Sequence, residues 1–327
     1  MKDFEYTNPA TLKEAVDLLG AQWGETEILA GGTDLLALMK DFIVTPKRLI
    51  DVKGVRELSG IQTTGGLRLG ATSTLEDVVR NSAIASRYKA IHQAAAGVPS
   101  PQIRNRGTVG GDLTQRPRCW YFRLGYGLLG QKDGKSLIPA GDNRYHAIFG
   151  NEGPAYFVNP SSLAPALIAM NAEVTIQGPK GRRRVRASEF FVTPKSNTGR
   201  ENILAPNEIL TDITVPANVP VTSATYEIRQ KLHLDWPLAA ASAVLTMNND
   251  TVRSARIVLG HVAPIPWRAP AAEAAIAGKT VTDQTAEAAG EAAVRGATPL
   301  SRNAYKIQLA KVAVKRAILA AAGKETP

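Results

Sequence analysis

Two glycine-rich turns contain the residue types that can bind the phosphates of a nucleotide cofactor. The first is Leu29-Ala30-Gly31-Gly32-Thr33-Asp34-Leu35, and the second is Gly107-Thr108-Val109-Gly110-Gly111-Asp112. Paired glycines let backbone N–H groups converge on one point, and an anion can approach them without meeting a Cβ. Either turn alone is equally typical of an ordinary loop. Together they predict a clasp for the two phosphates of a dinucleotide.

The first turn is predicted to join a strand to a helix. Residues 27–30 form a short apolar run that ends in the glycines, and Asp34 begins a short helix rich in leucine. Thr11 and Glu14 have the spacing of a helix capping box, and residues 48–52 have the pattern of a second strand. Residues 1–58 are therefore predicted to form a compact β-α-β unit.

The second turn follows a predicted helix over residues 82–96, with Ile84, Ile91 and Ala95 on its inner face. Residues 116–159 are irregular and rich in Gly, aromatic and basic residues, which predicts an inserted lobe. Regular structure resumes with a helix that Ser161 or Ser162 caps, and with a strand over residues 172–176.

The last third of the chain has a different pattern. Residues 217–223 are predicted to be a linker. Strands follow at about 225–230, 239–247 and 252–261, and Ala-rich helices follow near 271–277, 286–294 and 304–322. This pattern predicts a small sheet backed by helices.

Composition narrows the class of protein. The 327 residues suffice for two or three domains, and the net charge of +10 is compatible with nucleic acid, a membrane surface or an acidic partner. The basic residues are spread along the chain, apart from Arg182–Arg184 beside a predicted hairpin tip, which disfavours nucleic-acid binding. The N-terminus lacks an apolar signal core and no apolar run could span a bilayer. The default expectation is a cytoplasmic protein without a membrane partner; export with a signal-bearing partner is the alternative.

The two turns resemble the FAD pyrophosphate loops of the flavin (medium) subunit of the molybdenum hydroxylases, the group that includes xanthine dehydrogenase, carbon monoxide dehydrogenase and aldehyde oxidoreductase. The resemblance continues, in the family's order, through residues 70–77, 160–167, 207–211 and 303–306. It implies an α+β fold. A two-lobed FAD-binding domain of the vanillyl-alcohol-oxidase (PCMH) type would cover residues 1–220, with lobes at 1–58 and 59–220. A carbon monoxide dehydrogenase flavoprotein-like C-terminal domain would cover 221–327.

The function implied by this resemblance is electron transfer through non-covalent FAD. A small subunit with [2Fe–2S] clusters and a large subunit with molybdopterin would complete a three-subunit complex, with an aldehyde as the expected substrate class. No Ser-His-Asp arrangement and no His/Cys cluster is recognisable in the sequence, so no catalytic or metal-binding residue is predicted. Two alternatives remain: a structural scaffold that has lost its flavin, and an independent flavin oxidase.

The resemblance also assigns the cofactor contacts. The first turn would hold one phosphate and the second the other phosphate or the ribitol side. The carboxylates are expected to accept hydrogen bonds from cofactor hydroxyls or from loop amides, because they would repel phosphate. For Asp34 the alternative is a helix N-cap. The predicted contacts are Leu29, Ala30, Gly31, Gly32, Thr33, Asp34, Leu35, Asn105, Thr108, Gly110, Gly111, Asp112, Ser162 and Lys231.

Ser162 departs from the family pattern, and Lys231 has a second interpretation. Ser162 stands where the family commonly has Asp, so it keeps an N-cap role but lacks the charge. Lys231 lies where the family often presents a basic residue toward the flavin, although a plain surface lysine is at least as good an interpretation.

The inserted lobe at 116–159 resembles that of the periplasmic-type aldehyde oxidoreductase flavin subunits, where four cysteines bind a [4Fe–4S] cluster. Cys119 is the single cysteine of this chain. One thiolate cannot hold a cubane, and a lone cysteine excludes an internal disulfide. We therefore expect the lobe without the cluster, with Cys119 as a packed thiol rather than a ligand.

Overall fold

The structure is a computed structural model that describes residues 1–217, 222–231 and 235–325. Its N-terminal lobe is a three-stranded parallel sheet with strand order β1-β3-β2. The elements are β1 (Glu5–Thr7), α1 (Leu12–Asp17), β2 (Thr26–Leu29), α2 (Leu35–Lys40) and β3 (Arg48–Asp51). The predicted β-α-β unit is confirmed, and the carboxyl end of β2 leads directly into the first glycine turn.

The predicted capping box at Thr11 forms only in part. The Thr11 hydroxyl accepts a hydrogen bond from the Glu14 amide at 3.2 Å, as expected. The Glu14 carboxylate, however, accepts from the amide of Ala10 at 2.9 Å rather than from that of Thr11.

The first half of the second lobe contains two short strands and a run of short helices. They are β4 (Ile61–Gln62), β5 (Gly66–Gly70), α3 (Leu75–Arg80), α4 (Ser82–Arg87), α5 (Lys89–Gly97), α6 (Pro101–Arg106) and α7 (Val109–Thr114). The prediction of one helix over residues 82–96 is wrong, because Tyr88 leaves the helical conformation (φ −127°, ψ 50°) and its ring is buried. The predicted inner face of Ile84, Ile91 and Ala95 is buried.

The inserted lobe contains α8 (Trp120–Arg123) and a ribbon of β6 (Gln131–Lys132) with β7 (Lys135–Ser136). Its interior is an apolar cluster that includes Leu128, Leu129, Ile138 and Phe157. The second half of the lobe is bonded to the C-terminal region: the Ile148 amide donates to the Val262 carbonyl at 2.8 Å. The lobe is therefore also a bridge between two parts of the chain.

After the insertion, the second lobe is completed by α9 (Leu163–Ala169), β8 (Glu173–Gly178), β9 (Gly181–Arg186), α10 (Ala187–Phe190) and β10 (Ile209–Pro216). They complete a five-stranded sheet of order β4-β5-β10-β8-β9. The Arg182–Arg184 run lies on the edge strand β9, directly after the predicted hairpin tip. Arg183 there pairs with Glu208 at 2.8 Å.

The C-terminal region is a four-stranded antiparallel sheet packed against three helices. The elements are β11 (Thr222–Ile228), β12 (Ala239–Asn248), β13 (Thr251–Gly260), β14 (Trp267–Arg268), α11 (Pro270–Ile276), α12 (Asp283–Ala293) and α13 (Tyr305–Ala321). Buried alanines on β12 and α13 let the helix approach the sheet closely. Thr222 and Ser223, predicted to end a linker, belong to β11, and residues 218–221 lie outside the described residues. The domain boundary at residue 220 stays a prediction.

Candidate functional site

The two glycine turns meet each other directly. A Cβ added at Gly31 would lie 1.9 Å from the carbonyl oxygen of Arg106, which immediately precedes the second turn. Gly32 has a φ of +72°, in the left-handed region that favours glycine. The first turn therefore needs glycine at both positions: at Gly31 for close approach and at Gly32 for backbone conformation.

The second turn is held against the loop between β5 and α3. The Gly110 amide donates to the Ala71 carbonyl at 2.8 Å, and a Cβ at Gly110 would lie 2.9 Å from that of Ala71. Thr108 begins α7, because its hydroxyl accepts from the Gly111 amide at 3.1 Å. The turn is thus fixed before any ligand binds.

A cleft of about 1250 Å³, including its open mouth, runs along the joined turns. We call it the nucleotide cleft. Its wall carries two glycine pairs, whose backbone a phosphate of an extended dinucleotide can approach. Most of the predicted contacts line it: Ala30, Gly31, Gly32, Thr33, Asp34, Leu35, Thr108, Gly110 and Gly111.

Five predicted contacts lie outside this cleft. Leu29 ends β2, where its side chain packs beside Gly32. Asn105 is exposed on α6 and donates to the Pro101 carbonyl at 2.7 Å. Asp112 and Ser162 are buried behind the second turn, and exposed Lys231 lines a different cavity. Their assignment as FAD contacts stays a prediction.

The carboxylate of Asp34 links the first turn to the inserted lobe. It accepts from the Arg116 amide at 2.8 Å and pairs with Arg118 at 2.8 Å and Arg123 at 2.7 Å. The alternative of a side-chain N-cap is wrong, because Asp34 makes no capping hydrogen bond to α2. The guanidinium groups offset the negative charge that would otherwise repel a phosphate.

Asp112 fixes loop amides instead of lining the cleft. It accepts from the Ser161 hydroxyl at 2.5 Å and from the Ser162 and Leu163 amides at 3.2 and 3.0 Å. Burial raises the pKa of the Asp112 carboxyl despite these donors. The second turn is therefore tied to the start of α9.

The predicted N-cap role of the Ser162 side chain is wrong. Ser162 occupies the N-cap position of α9 without a side-chain capping bond. The Ser161 hydroxyl accepts from the Ala164 amide at 3.0 Å instead, while donating to Asp112. Since the Ser162 amide already donates to Asp112, the position keeps its link to the second turn through the backbone.

Arg116, Arg200 and Glu201 line the nucleotide cleft and were not predicted. Arg200 pairs with Glu27 at 3.0 Å and stacks 4.0 Å from the centroid of the Trp23 ring, and Arg116 pairs with Glu201 at 2.9 Å. These residues come from irregular segments, where no periodic pattern marks them. In the sequence, the adjacent charged residues Arg200 and Glu201 were the one feature that could have indicated these cleft residues. The charge of each arginine is offset by the glutamate with which it pairs, and both glutamates also line the cleft.

A second cavity, which we call the aromatic cavity, lies between the inserted lobe and the C-terminal sheet. Its lining includes Trp120, Tyr145 and Trp236, together with Lys231 at its mouth. His261, predicted to lie in a strand, follows β13 in a left-handed conformation (φ +61°) and lines this cavity. His92 lies on α5, and its Nε2 is 3.1 Å from the Val79 carbonyl oxygen. His233 lies outside the described residues.

Cys119 is a packed thiol. It is buried in the apolar core of the inserted lobe, with its Sγ 3.2 Å from Nε2 of His146. Within the described residues, no group of three or more His, Cys, Asp or Glu side chains is arranged to hold a metal ion. An iron–sulfur cube needs several cysteine thiolates as ligands, and the side chains of the apolar cluster around Cys119 do not supply them.

Cys119 is expected to react very slowly with thiol reagents while the chain is folded. Burial raises the pKa of the thiol from 9.0 to about 11, so the thiolate fraction falls by about two orders of magnitude before steric exclusion is considered. Titration with a disulfide reagent should detect the thiol promptly in denaturant and barely in buffer. Rapid labelling of the native protein would contradict this burial.

The fold and the cleft define a two-lobed protein with a cleft along two joined glycine turns, followed by a sheet-and-helix region. The chain belongs to the molybdopterin dehydrogenase flavoprotein family. Residues 2–218 match the FAD binding domain in molybdopterin dehydrogenase, and residues 224–321 match the CO dehydrogenase flavoprotein C-terminal domain. The resemblance inferred from the motifs is confirmed, as are the α+β fold and FAD as the cofactor.

The matches to known relatives cover nearly the whole chain. The carbon monoxide dehydrogenase medium chain of Hydrogenophaga pseudoflava is 32% identical over 97% of this chain and 96% of its own length. The aldehyde oxidoreductase FAD-binding subunit PaoB of Escherichia coli K12 is 31% identical over 95% and 96%. A solved carbon monoxide dehydrogenase from Hydrogenophaga pseudoflava has a chain that superposes with a TM-score of 0.76, at 31% identity, covering 98% of this chain and 97% of that one. In the described part of the chain, no helix combines the length and apolarity needed to cross a membrane.

Proposed function

We propose that this chain is the FAD-carrying electron-transfer subunit of a molybdenum hydroxylase that oxidises an aldehyde. Its partners are a small [2Fe–2S] subunit and a large molybdopterin subunit, and an external acceptor takes the electrons. The observation that best supports this function is the pair of joined turns, in which Gly31 and Gly110 leave no room for a Cβ. The aldehyde is supported by the inserted lobe and by the name of the PaoB relative.

The residues of the nucleotide cleft suit each part of this role. The amides of Gly31–Asp34 bind the pyrophosphate. The second turn lines the same cleft, and its Gly110 and Gly111 amides already donate within the protein. Asp34 and Asp112 position the two turns through the bonds described above. Bound FAD supplies the redox chemistry, and the protein orients it and limits its exposure to water.

The two alternative functions make different demands on the cleft. A scaffold that had lost its flavin would not need an open cleft along the turns, yet Gly31, Gly32, Gly110 and Gly111 still line one. An independent oxidase needs its own substrate-processing groups. Such an enzyme would turn over substrate as an isolated chain, whereas an electron-transfer subunit should only pass electrons from an artificial donor to a dye.

Flavin content tests the proposal directly. The full chain should purify yellow, or become yellow on reconstitution with FAD, and acid should release the flavin intact because it is not covalently attached. Visible absorption and mass spectrometry of the released flavin are the measurements. A folded chain that takes up no FAD would overturn the proposal. Aldehyde turnover by the chain without partners would favour the oxidase.

A further inference from the structure

Glu201 places a buried carboxylate with one unsatisfied oxygen on the wall of the nucleotide cleft. The residue is 3% exposed and lines the cleft. Its Oε1 accepts from Nε of Arg116 at 2.9 Å, whereas its Oε2 has no hydrogen-bond partner among the described residues. Buried polar atoms are nearly always paired, so an unpaired one beside an open cleft indicates that a donor group of a ligand completes it.

The position of this carboxylate is fixed by the protein. The Glu201 carbonyl accepts from the Val192 amide at 3.0 Å, which holds the backbone. The side-chain partner, Arg116, is itself held in place: its amide donates to Asp34 at 2.8 Å, and its guanidinium lies 5.1 Å from the centroid of the Phe122 ring. The acceptor therefore stands ready before a ligand enters the cleft.

The chemistry of a carboxylate limits what Oε2 can bind. An ionised carboxylate accepts hydrogen bonds and donates none, so its partner must carry an O–H or an N–H. A phosphate at neutral pH offers only acceptor oxygens and is repelled by the negative charge. FAD carries suitable donors elsewhere: the hydroxyls of its ribose and ribitol, the amine of its adenine and the imide N–H of its flavin ring.

We propose that Oε2 of Glu201 accepts a hydrogen bond from an O–H or N–H donor of bound FAD and thereby fixes where the cofactor lies along the cleft. The proposal rests on the proposed flavin function. The amides of the first turn attract a phosphate, whereas Glu201 excludes one and takes a donor. These opposite preferences within one cleft restrict the positions that an extended dinucleotide can adopt.

Fluorescence titration of the FAD-free full chain with FAD tests the role of Glu201. Glu201→Gln preserves the size of the side chain and a carbonyl that can accept from Arg116, but it puts an NH₂ group where the free acceptor stood. We expect FAD binding to weaken about tenfold, as for the loss of one hydrogen bond to a charged group. A glutamate that only balances the charge of Arg116 predicts equal or tighter binding, because the variant removes a negative charge from a cleft that holds phosphates.

Glu273→Gln is the matched control. Glu273 is 8% exposed and does not line the nucleotide cleft, and both of its oxygens accept from Arg268, at 2.9 and 2.8 Å. This variant should bind FAD like the unaltered chain. Glu201→Asp keeps the charge but withdraws the carboxylate by one methylene group, so it should also weaken FAD binding. It replaces the glutamine variant if that chain does not fold, which circular dichroism reports.

The FAD titration decides the proposal, and the two halves of the cofactor locate the donor. Weaker binding of ADP-ribose by Glu201→Gln places the donor in the adenosine half, and weaker binding of FMN places it in the flavin half. Unchanged or tighter FAD binding by the variant overturns this inference and leaves the proposed function intact. An unaltered, folded chain that binds no FAD contradicts the proposed function instead.

Discussion

Replacing Gly31 with alanine is expected to abolish FAD retention and to destabilise the joined turns. The new Cβ would lie 1.9 Å from the Arg106 carbonyl oxygen, and a backbone atom cannot rotate away. The turns must separate, with overpacking strain of about 3 kcal/mol. We expect FAD binding to weaken by roughly two orders of magnitude, measured by titrating the apoprotein with FAD and following flavin fluorescence.

Gly54→Ala is the matched control for this change. Gly54 has no left-handed φ, and the nearest atoms to a Cβ there would be the Asn8 side-chain oxygen at 3.3 Å and the Pro9 carbonyl oxygen at 3.9 Å. This variant should bind FAD like the unaltered chain. Equal FAD affinity in Gly31→Ala would show that the contact between the turns does not form the cofactor site.

The second large effect is expected from Asp112→Ala. Removing this buried carboxylate leaves the Ser161 hydroxyl and the Ser162 and Leu163 amides without their acceptor. Unsatisfied buried donors cost about 1–3 kcal/mol each, although relief of the buried charge offsets part of this. We expect the free energy of unfolding to fall by about 3 kcal/mol, measured by urea denaturation.

The comparison variant is Asp17→Ala, whose carboxylate is exposed and pairs with Lys13. Exposed pairs contribute little, so its unfolding free energy should change by less than about 0.5 kcal/mol. If Asp112→Ala proved as mild, α9 would not depend on the second turn. FAD content measured on both variants shows whether the turn or only the helix has been disturbed.

The glycine turns could be predicted from the sequence because their requirements are local. A Gly-Gly pair after an apolar run leaves a strand-to-turn geometry as the simplest solution, and Gly32 shows the left-handed φ that such a turn uses. The strands and Ala-rich helices of the C-terminal region were likewise predictable from periodicity. Tyr88 was not, because burial of its ring interrupts a segment that is helical by pattern.

The partners of the Asp34 and Asp112 carboxylates could not be predicted from the sequence. Asp34 meets Arg116 and Arg123 across separations of 82 and 89 residues, and Asp112 meets Ser161 across 49. Each pairing depends on tertiary packing, on which neither propensity nor spacing carries information. The same holds for Arg200, which reaches Glu27 across 173 residues.

The bonds between the inserted lobe and the C-terminal region constrain the order in which the chain can fold. Asn143, Asn151 and Asn303 make bonds that join residues 147 to 159 positions apart. Closing loops of this length is slow and entropically unfavourable until the rest of each domain is in place. On a ribosome, the lobe must wait for residues near the start of α13 to be synthesised. The aromatic cavity is therefore among the last parts of the molecule to form, and incomplete chains should lack it even when their N-terminal sheet has folded.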